Sequence, residues 1–274
     1  MSRRPKRTRT WIALATAVVA SAAATLAVQQ TASAATYTLP PVHGAFDYQI
    51  GGAYTPPTGV KIVSRDWKAS PAAGLYNICY INAFQTQAPG DPGGPQDWDK
   101  NLLLKDSSGN VIIDPDWNEA LLDISTSAKR TSIATKIQTQ IDACATKGFK
   151  ALELDNYDSY TRSNGKLTES NAQAYIKLLS AYGHNKGLAV GQKNTVELAS
   201  NHVANGLDFA IVEECGDTGE CADIVSAFGN NAIFIEYTSD GLSNACEYGS
   251  QVSVVQRDRD VVPKGTSGYV RQTC

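Results

Sequence analysis

Between Gly148 and the C-terminal region, short apolar runs alternate regularly with segments of helical periodicity. The apolar runs, which predict strands, span residues 150–155, 188–192, 207–214, 232–237 and 252–256. The helical segments span residues 168–186, 195–204, 220–228 and 242–249. Short strands that are apolar on both faces and separated by helices are typical of a parallel sheet covered on both sides. This alternation predicts an α/β fold.

The first half of the chain continues the pattern less regularly. Further strands are predicted at residues 46–50, 60–64 and 76–81. Residues 127–147 predict an amphipathic helix, and residues 121–124 fit a short strand, although residues 117–122 fit a helix equally well. A total of about eight or nine strands favours a single (β/α)8 barrel of the TIM type over a doubly wound sheet. No GxGxxG or Walker loop marks a nucleotide site.

The first 34 residues have the three parts of a secretory signal peptide. Five basic residues before position 10 precede an apolar stretch from Trp11 to about Val28, and Ala32-Ser33-Ala34 is a small-residue cleavage site. A transmembrane anchor is the competing interpretation, and the alanine-rich core and the cleavage site favour export. We therefore expect residues 1–34 to be removed and residues 35–274 to form one secreted, extracellular barrel domain.

The mature chain of 240 residues is acidic. Removing the leader's five basic residues from a total of 24 leaves 19, against 27 acidic residues, a formal charge of −8. This balance argues against nucleic acid and anionic lipid as partners and is compatible with a cationic substrate. No other run is long and apolar enough to span a bilayer, so we expect no membrane partner. We also expect a monomer.

Six cysteines in an exported chain predict three disulfides. Cys215 and Cys221 flank the sequence CGDTGEC and are expected to pair locally. The other two pairs follow only by elimination among the 15 possible connectivities: Cys246 with Cys274, and Cys79 with Cys144. Metal ligation is the alternative, but no CxxC pair occurs and the three histidines are scattered. We therefore expect no metal site and no cofactor.

The segment GFKALELDNYDSY, residues 148–160, places acidic side chains at the end of a predicted strand. Because strand side chains alternate in direction, Glu153 and Asp155 share one face. Two ionised carboxylates are unfavourable on a mostly buried strand, and α/β enzymes place their chemistry where such strands end. The segment therefore favours a catalytic role, and the alternative is a solvated strand end with an Asx turn at Asp155 and Asn156.

Charged residues also end several other predicted strands. Besides Asp155, these ends carry Lys193 with Asn194, Glu213 with Glu214, Glu236 with Tyr237 and, less securely, Asp123. Only one of the two adjacent glutamates can point into the mouth of a barrel, and alternation alone does not decide which. Carboxylates from two strands are the standard apparatus for cleaving a glycosidic bond. Neither GxSxG nor HExxH occurs, and no histidine lies at a predicted strand end.

Five segments in order along the chain carry a family resemblance. They are LDI (122–124), ELDNYDSY (153–160), GLAVGQKN (187–194), FAIVEEC (209–215) with Glu220-Cys221, and Glu236-Tyr237. They are similar to the motifs L-D-[IV], E-P-D-N-x-D-x-Y, G-L-S-V-G-L-K-N, F-A-V-N-E-Q-C with E-C, and E-Y of one enzyme family. The chain thus resembles the endo-α-1,4-polygalactosaminidase family of glycoside hydrolases, secreted barrel enzymes of bacteria and fungi, from Phe46 to about Asp260.

The resemblance implies a catalytic pair of Asp155 and Glu213, which selects Glu213 over Glu214. It also implies cleavage within the chain of an α-1,4-linked galactosamine polymer. Such a cationic amino-sugar polysaccharide agrees with the negative charge of the mature chain. We expect substrate-binding roles for Asp123, Glu153, Asn156, Asp158, Tyr160, Lys193, Asn194, Glu236 and Tyr80. For Glu153, a structural role inside the barrel is the alternative, and for the two tyrosines it is core packing.

Two segments depart from the family pattern. FDYQI (46–50) has no tryptophan where the family has W-x-W-Q-L, and CYINAFQTQ (79–87) differs from C-Y-[FI]-S-A-G-S-x-E-D-W. Both segments would line the cleft, so the shape of the sugar-binding subsites is expected to differ.

The environments of the two carboxylates predict their roles. We expect Asp155, beside a polar asparagine, to be the nucleophile or to stabilise the oxocarbenium ion. We expect Glu213, which follows an apolar run, to be the general acid. The reverse assignment stays open, as does the choice between retention and inversion. The alternatives to this function are a non-catalytic glycan-binding protein on the same barrel and a hydrolase of a different polysaccharide.

Overall fold

A computed structural model describes residues 36–274, in which eight parallel strands follow one another around a curled sheet. The strands of the chain are β1 (Phe46–Gln49), β2 (Ile62–Asp66), β3 (Tyr76–Asn82), β4 (Ile113–Asp114), β5 (Glu119–Ala120), β6 (Ala151–Asp155), β7 (Ala189–Lys193), β8 (Phe209–Glu213), β9 (Ala232–Glu236), β10 (Ser253–Arg257) and β11 (Arg271–Gln272). The main sheet has the order β1-β2-β3-β6-β7-β8-β9-β10-β11, with β11 antiparallel to β10. Strands β4 and β5 form a separate antiparallel hairpin.

From β3 to β10, at least one helix lies between each strand of the main sheet and the next. The helices are α1 (Ser127–Lys147), α2 (Glu169–Asn185), α3 (His202–Asn205), α4 (Cys215–Thr218), α5 (Cys221–Phe228) and α6 (Ser239–Ala245), with 3₁₀ turns at Pro95–Asp97, Tyr157–Arg162, Val196–Asn201 and Cys246–Tyr248. Helix α2 begins with a capping box between Thr168 and Asn171, and Gly187 follows its end with φ at 74°. The start near Thr168 and the stop at Gly187 confirm the predicted helix.

The core has two layers, one on each face of the sheet. The inner layer is a single buried cluster to which all eight parallel strands contribute: Phe46, Tyr48, Ile62, Ile78, Ala151, Ala189, Phe209, Ile211, Ile233, Ile235 and Val255. The outer layer packs the opposite strand faces against the helices and includes Leu152, Leu154 and Phe234. Alternation of side chains along each strand therefore fills both faces, as expected for a sheet that curls around its own core.

The predicted barrel is confirmed in part. Eight parallel strands and their covering helices are present, but no ladder joins β1 to β10 within residues 36–274. At this seam Arg271 of β11 donates from Nε to Asp47 Oδ1 at 3.1 Å and from Nη2 to the carbonyl oxygen of Phe46 at 2.9 Å. The two edges of the sheet are thus bridged by one side chain.

The structure differs from the expected elements in the first half of the chain. No helix follows β1 or β2, because the connections contain Pro56, Pro57 and Gly59 in one case and Pro71 and Gly74 in the other. Residues 121–124 form neither a strand nor a helix, and bridge pairs involving Leu121 and Leu122 hold them beside residues 85 and 103. The interpretation of 117–122 as a helix is wrong, since β5 lies within that range.

All three predicted disulfides are confirmed, including the two pairs that elimination alone suggested. Cys79 of β3 bonds to Cys144 of α1, which ties the sheet to its longest helix. The predicted signal peptide, residues 1–34, lies outside the described residues and stays a prediction. Among the helices of residues 36–274, none has the length and apolar character needed to cross a bilayer.

Candidate active site

A cleft opens where β6, β7 and β8 end. Directly after these strands the backbone adopts the left-handed conformation at Asn156 (φ 65°), Asn194 (46°), Thr195 (59°) and Glu214 (60°). Residues other than glycine rarely adopt this conformation, and each one costs about 1–3 kcal/mol. Such strained positions cluster at functional sites. These turns end the three strands abruptly, at Asp155, Lys193 and Glu213.

Lys193 is the centre of the site. Its Nζ lies 3.2 Å from Asp155 Oδ1, 3.2 Å from Glu213 Oε2 and 3.3 Å from Glu153 Oε1, and its side chain is only 2% exposed. Burial lowers the pKa of Lys193, but the surrounding carboxylates outweigh burial and hold the pKa well above its usual range. The ammonium therefore stays charged and joins Asp155 to Glu213.

Asp155 is held as a carboxylate by directed hydrogen bonds. The hydroxyl of Tyr80 donates to Oδ2 at 2.7 Å, and the backbone N–H of Asn156 donates to Oδ1 at 2.8 Å. Burial raises the pKa of Asp155, but Lys193 and the two donors outweigh burial and lower the pKa below its usual value. Asp155 is thus ionised at neutral pH.

Glu213 is oriented by both of its neighbouring strands. The hydroxyl of Tyr237, after β9, donates to Oε1, and Asn194 Nδ2, after β7, donates to Oε2 at 3.2 Å. The backbone N–H of Glu213 in turn donates to Asn194 Oδ1 at 2.8 Å. The adjacent Glu214 instead pairs with the exposed Arg259 at 2.5 Å. Only Glu213 of the two therefore shares the ammonium with Asp155.

The two carboxylates lie close together. Because Asp155 Oδ1 and Glu213 Oε2 are each 3.2 Å from the same Nζ atom, these oxygens are separated by no more than 6.4 Å. The predicted pair is thus brought together by the structure, although its catalytic roles stay predictions.

Glu153 lies beneath Lys193 in the interior of the sheet and does not line the cleft. It accepts hydrogen bonds from the hydroxyl of Tyr48 at 2.8 Å and from Ser64 Oγ at 2.5 Å. Burial raises the pKa of Glu153 above its usual value. Its position fits the structural alternative, in which the Glu153 carboxylate pairs with Lys193 Nζ from inside the sheet.

Most of the other predicted substrate-binding residues line the cleft. They are Tyr80, Asn156, Asp158, Lys193 and Asn194. Arg162 organises two of them, since its guanidinium donates to Asp158 at 2.7 and 3.0 Å and to Asn156 Oδ1 at 3.0 Å.

Three predicted residues lie elsewhere, which argues against direct contact with substrate. Asp123 pairs with Lys129 at the start of α1, and Tyr160 donates to Glu197. Glu236 lies on the outer face of β9, where the backbone N–H of Gly216 donates to it at 2.8 Å and burial raises its pKa to about 7. Glu236 shares its face with Ala232 and Phe234, which pack against the helices, so it does not line the cleft, and its role in substrate binding stays a prediction.

Some residues that line the cleft had no site role predicted from the sequence. They are Asp114, Asp116, Glu119, Arg162 and Arg259. Trp117, an aromatic side chain expected either to stack on a sugar or to fill the core, and Tyr237, which follows Glu236 at a strand end, line the cleft as well. Charged residues in this cavity of about 250 Å³ are Asp114, Asp116, Glu119, Asp155, Asp158, Glu213 and Glu214, against Arg162, Lys193 and Arg259. The excess of carboxylates favours a cationic ligand. The cluster of acids around Trp117 was the one signal that could have identified this wall.

Comparisons with known proteins bear on the family and the fold of the chain. A model of glycoside-hydrolase family GH114 matches residues 26–274. The fold is similar to Aspergillus fumigatus Ega3, solved in complex with galactosamine, at 19% identity and a TM-score of 0.70, covering 87% of this chain and 99% of that one. It is also similar to the glycoside hydrolase domain of PelA from Pseudomonas aeruginosa, at 16% identity and a TM-score of 0.54, covering 81% and 97%. No match was found among curated proteins.

Proposed function

Because the chain belongs to glycoside-hydrolase family GH114, we propose that it is a secreted, endo-acting hydrolase of α-1,4-linked galactosamine polymers. The observation that carries the proposal is the placement of Asp155 and Glu213 from two strands around one buried ammonium. Of two such carboxyl groups, one can protonate the glycosidic oxygen while the other attacks the anomeric carbon or activates a water molecule that does so.

The electrostatics of the cleft support the choice of substrate. Seven carboxylates face three cationic side chains, so an ammonium-bearing sugar gains favourable interaction on entering. Ega3 was solved with galactosamine bound, which is a sugar of this charge.

In the proposed mechanism, Glu213 gives its proton to the leaving glycosidic oxygen while Asp155 Oδ attacks the anomeric carbon. The glycosyl–Asp155 ester then reacts with water, whose proton returns to Glu213, and the sugar leaves with retained configuration. The lowered pKa of Asp155 supports its role as the nucleophile. Retention is part of this proposal, and the shared ammonium keeps Asp155 Oδ1 and Glu213 Oε2 within 6.4 Å of each other.

Azide distinguishes this assignment from its reverse. In a Glu213→Gln variant, azide should restore turnover of an activated substrate and yield a glycosyl azide of retained configuration, because the nucleophile is intact. In an Asp155→Ala variant, any azide product should have inverted configuration. The opposite pattern would exchange the two roles.

The function itself is tested by assaying new reducing ends from partially deacetylated galactosaminogalactan. We expect release by the mature protein and a loss of about 10²-fold or more in Asp155→Asn and in Glu213→Gln. Asp142→Asn, which changes a surface carboxylate, is the matched control and should keep full activity. Binding without release would favour a glycan-binding protein, and release from other polymers only would favour a hydrolase of a different polysaccharide.

We also propose that the protein is secreted, that its domain spans residues 35–274, and that its sheet closes into a barrel. Three disulfides support an oxidising compartment. The bridge from Arg271 to Asp47 supports closure of the sheet. Mass spectrometry of the exported protein should find an N-terminus at Ala35. The protein should be a monomer in solution.

A further inference from the structure

The hairpin formed by β4 and β5, residues 113–120, is firmly anchored beside the cleft. Asp114 is almost fully buried, and it accepts a hydrogen bond from Gln85 Nε2 at 3.0 Å and pairs with Arg162 Nε at 2.8 Å. The backbone N–H of Ala120 donates to Thr86 Oγ1 at 3.2 Å. These contacts fix the base of the hairpin to the segment that follows β3.

The tip of the hairpin presents an aromatic ring to the cleft. Trp117 lines the cavity yet is 56% exposed, which is unusual for a large apolar side chain. The next residue, Asn118, turns the chain in the left-handed conformation with φ at 56°, and its N–H donates to the carbonyl oxygen of Asp114 at 2.9 Å. The turn therefore places the indole beside the cleft, where a flat ligand surface could stack on it.

Glu119 of the same hairpin lines the cleft and is linked by hydrogen bonds to the residue that follows Asp155. Its Oε2 accepts a hydrogen bond from Asn82 Nδ2 at 2.8 Å, and Asn82 Oδ1 accepts one from Asn156, the residue after Asp155. Burial, followed by repulsion from Asp155 and Asp114, raises the pKa of Glu119 to about 7. A cation bound next to this carboxylate would relieve that repulsion.

We propose that the hairpin is a specificity element that binds a free-amine sugar unit next to the bond being cleaved. Trp117 stacks on the face of the sugar ring, and the carboxylates of Glu119 and Asp116 accept hydrogen bonds from its ammonium group. An N-acetylated unit carries no charge and is bulkier, so the same contacts disfavour it. This inference rests on the proposed function, because it assumes that amino sugars enter the cleft.

Binding is measured first, so that it does not depend on hydrolysis. Galactosamine tetramers, either fully deacetylated or fully N-acetylated, are titrated by calorimetry into the full mature chain carrying Glu213→Gln. We expect the deacetylated tetramer to bind more tightly. Adding Glu119→Gln should reduce the ratio of the two affinities about tenfold or more, because one charge-assisted hydrogen bond is lost. Glutamine keeps an oxygen that can accept from Asn82, so the fold should survive.

Trp117 is tested in the same background. Trp117→Ala should weaken both tetramers at least about fivefold, and Trp117→Phe should recover part of that loss because an aromatic face remains. Leu178→Ala, an exposed apolar residue on α2, and Glu247→Gln, an exposed acid, are matched controls that should change neither affinity.

Kinetics with the otherwise unaltered enzyme complete the test. Glu119→Gln should raise KM for the deacetylated tetramer and leave kcat within about threefold. The proposal is overturned if Glu119→Gln leaves the affinity ratio unchanged, or if neither tetramer binds the parent. It is also overturned if this variant loses kcat on both tetramers while binding normally, since Glu119 would then act in the chemistry. If the Glu213→Gln parent binds as expected but the wild-type protein releases no reducing ends, the proposed hydrolysis fails and the hairpin proposal stands.

Discussion

Replacing Lys193 by methionine should destabilise the protein more than any surface substitution. Methionine has a similar length but leaves Asp155, Glu213 and the fully buried Glu153 without their shared cation. Removing one partner of a buried ion pair costs about 3–5 kcal/mol. At about 2–4 °C per kcal/mol for a chain of this size, the melting temperature should fall by about 6–20 °C.

The loss of stability in the Lys193→Met variant should be larger at high pH than at low pH. Burial already raises the folded-state pKa of Glu153, and removal of Lys193 raises it further. A carboxyl group whose folded pKa exceeds its unfolded value destabilises the fold increasingly as pH rises through that interval. Asp155, whose pKa Lys193 helps to lower, adds a loss of similar size at both pH values, because its stabilising contribution is already complete above its unfolded pKa. The variant should therefore lose more stability at pH 8 than at pH 5.

Urea and thermal unfolding at pH 5 and pH 8, followed by tryptophan fluorescence, measure this difference. Lys186→Met is the matched control, because Lys186 forms an exposed ion pair with Asp142 and its loss should change stability little at either pH. A Lys193→Met protein with wild-type stability at pH 8, or with an equal loss at both pH values, would refute the assignment of Lys193 as the cation that holds the site together.

Three further predictions concern single contacts. Tyr237→Phe should lower kcat about tenfold or more with little change in stability, since the hydroxyl donates to Glu213; unchanged kcat would contradict this. Glu236→Gln should raise the melting temperature at pH 8 but not at pH 5, because the buried carboxylate has a pKa of about 7 and must ionise between them. Selective loss of the Cys246–Cys274 disulfide, by a double serine variant, should lower stability by about 2–4 kcal/mol in urea; a smaller loss than for a surface substitution would count against this estimate.

The second half of the fold could be predicted because its periodicities are unambiguous. Runs such as residues 207–214 are apolar on both faces, so their strand character depends little on context, and Gly187 marks the end of α2 by its conformational freedom. The catalytic candidates were recognisable for the same reason. They lie at strand ends, which the chain direction brings to one edge of the sheet, whereas the choice of Glu213 over Glu214 came from the family resemblance.

What the sequence left open depends on long-range contacts. Alternation could not orient Glu236, because its direction follows from the register of β9 within the sheet rather than from local pattern. The β4–β5 hairpin has strands of only two residues, which leave no periodic signal, and its position is set by contacts with residues 85 and 86. The place of Glu119 and Trp117 in the cleft therefore depends on tertiary structure, and the cluster of acids around Trp117 is the one local signal for it.

The seam of the sheet has a consequence for the order of folding. From β1 to β10 the strands of the main sheet pair with their nearest neighbours in chain order, so most of the sheet can grow as the chain lengthens. The contact between Asp47 and Arg271 is different, because it spans 224 residues. Contacts of such separation form late and slow the approach to the native state. A chain interrupted before Arg271 would keep β1 as an open edge, available for pairing with other chains.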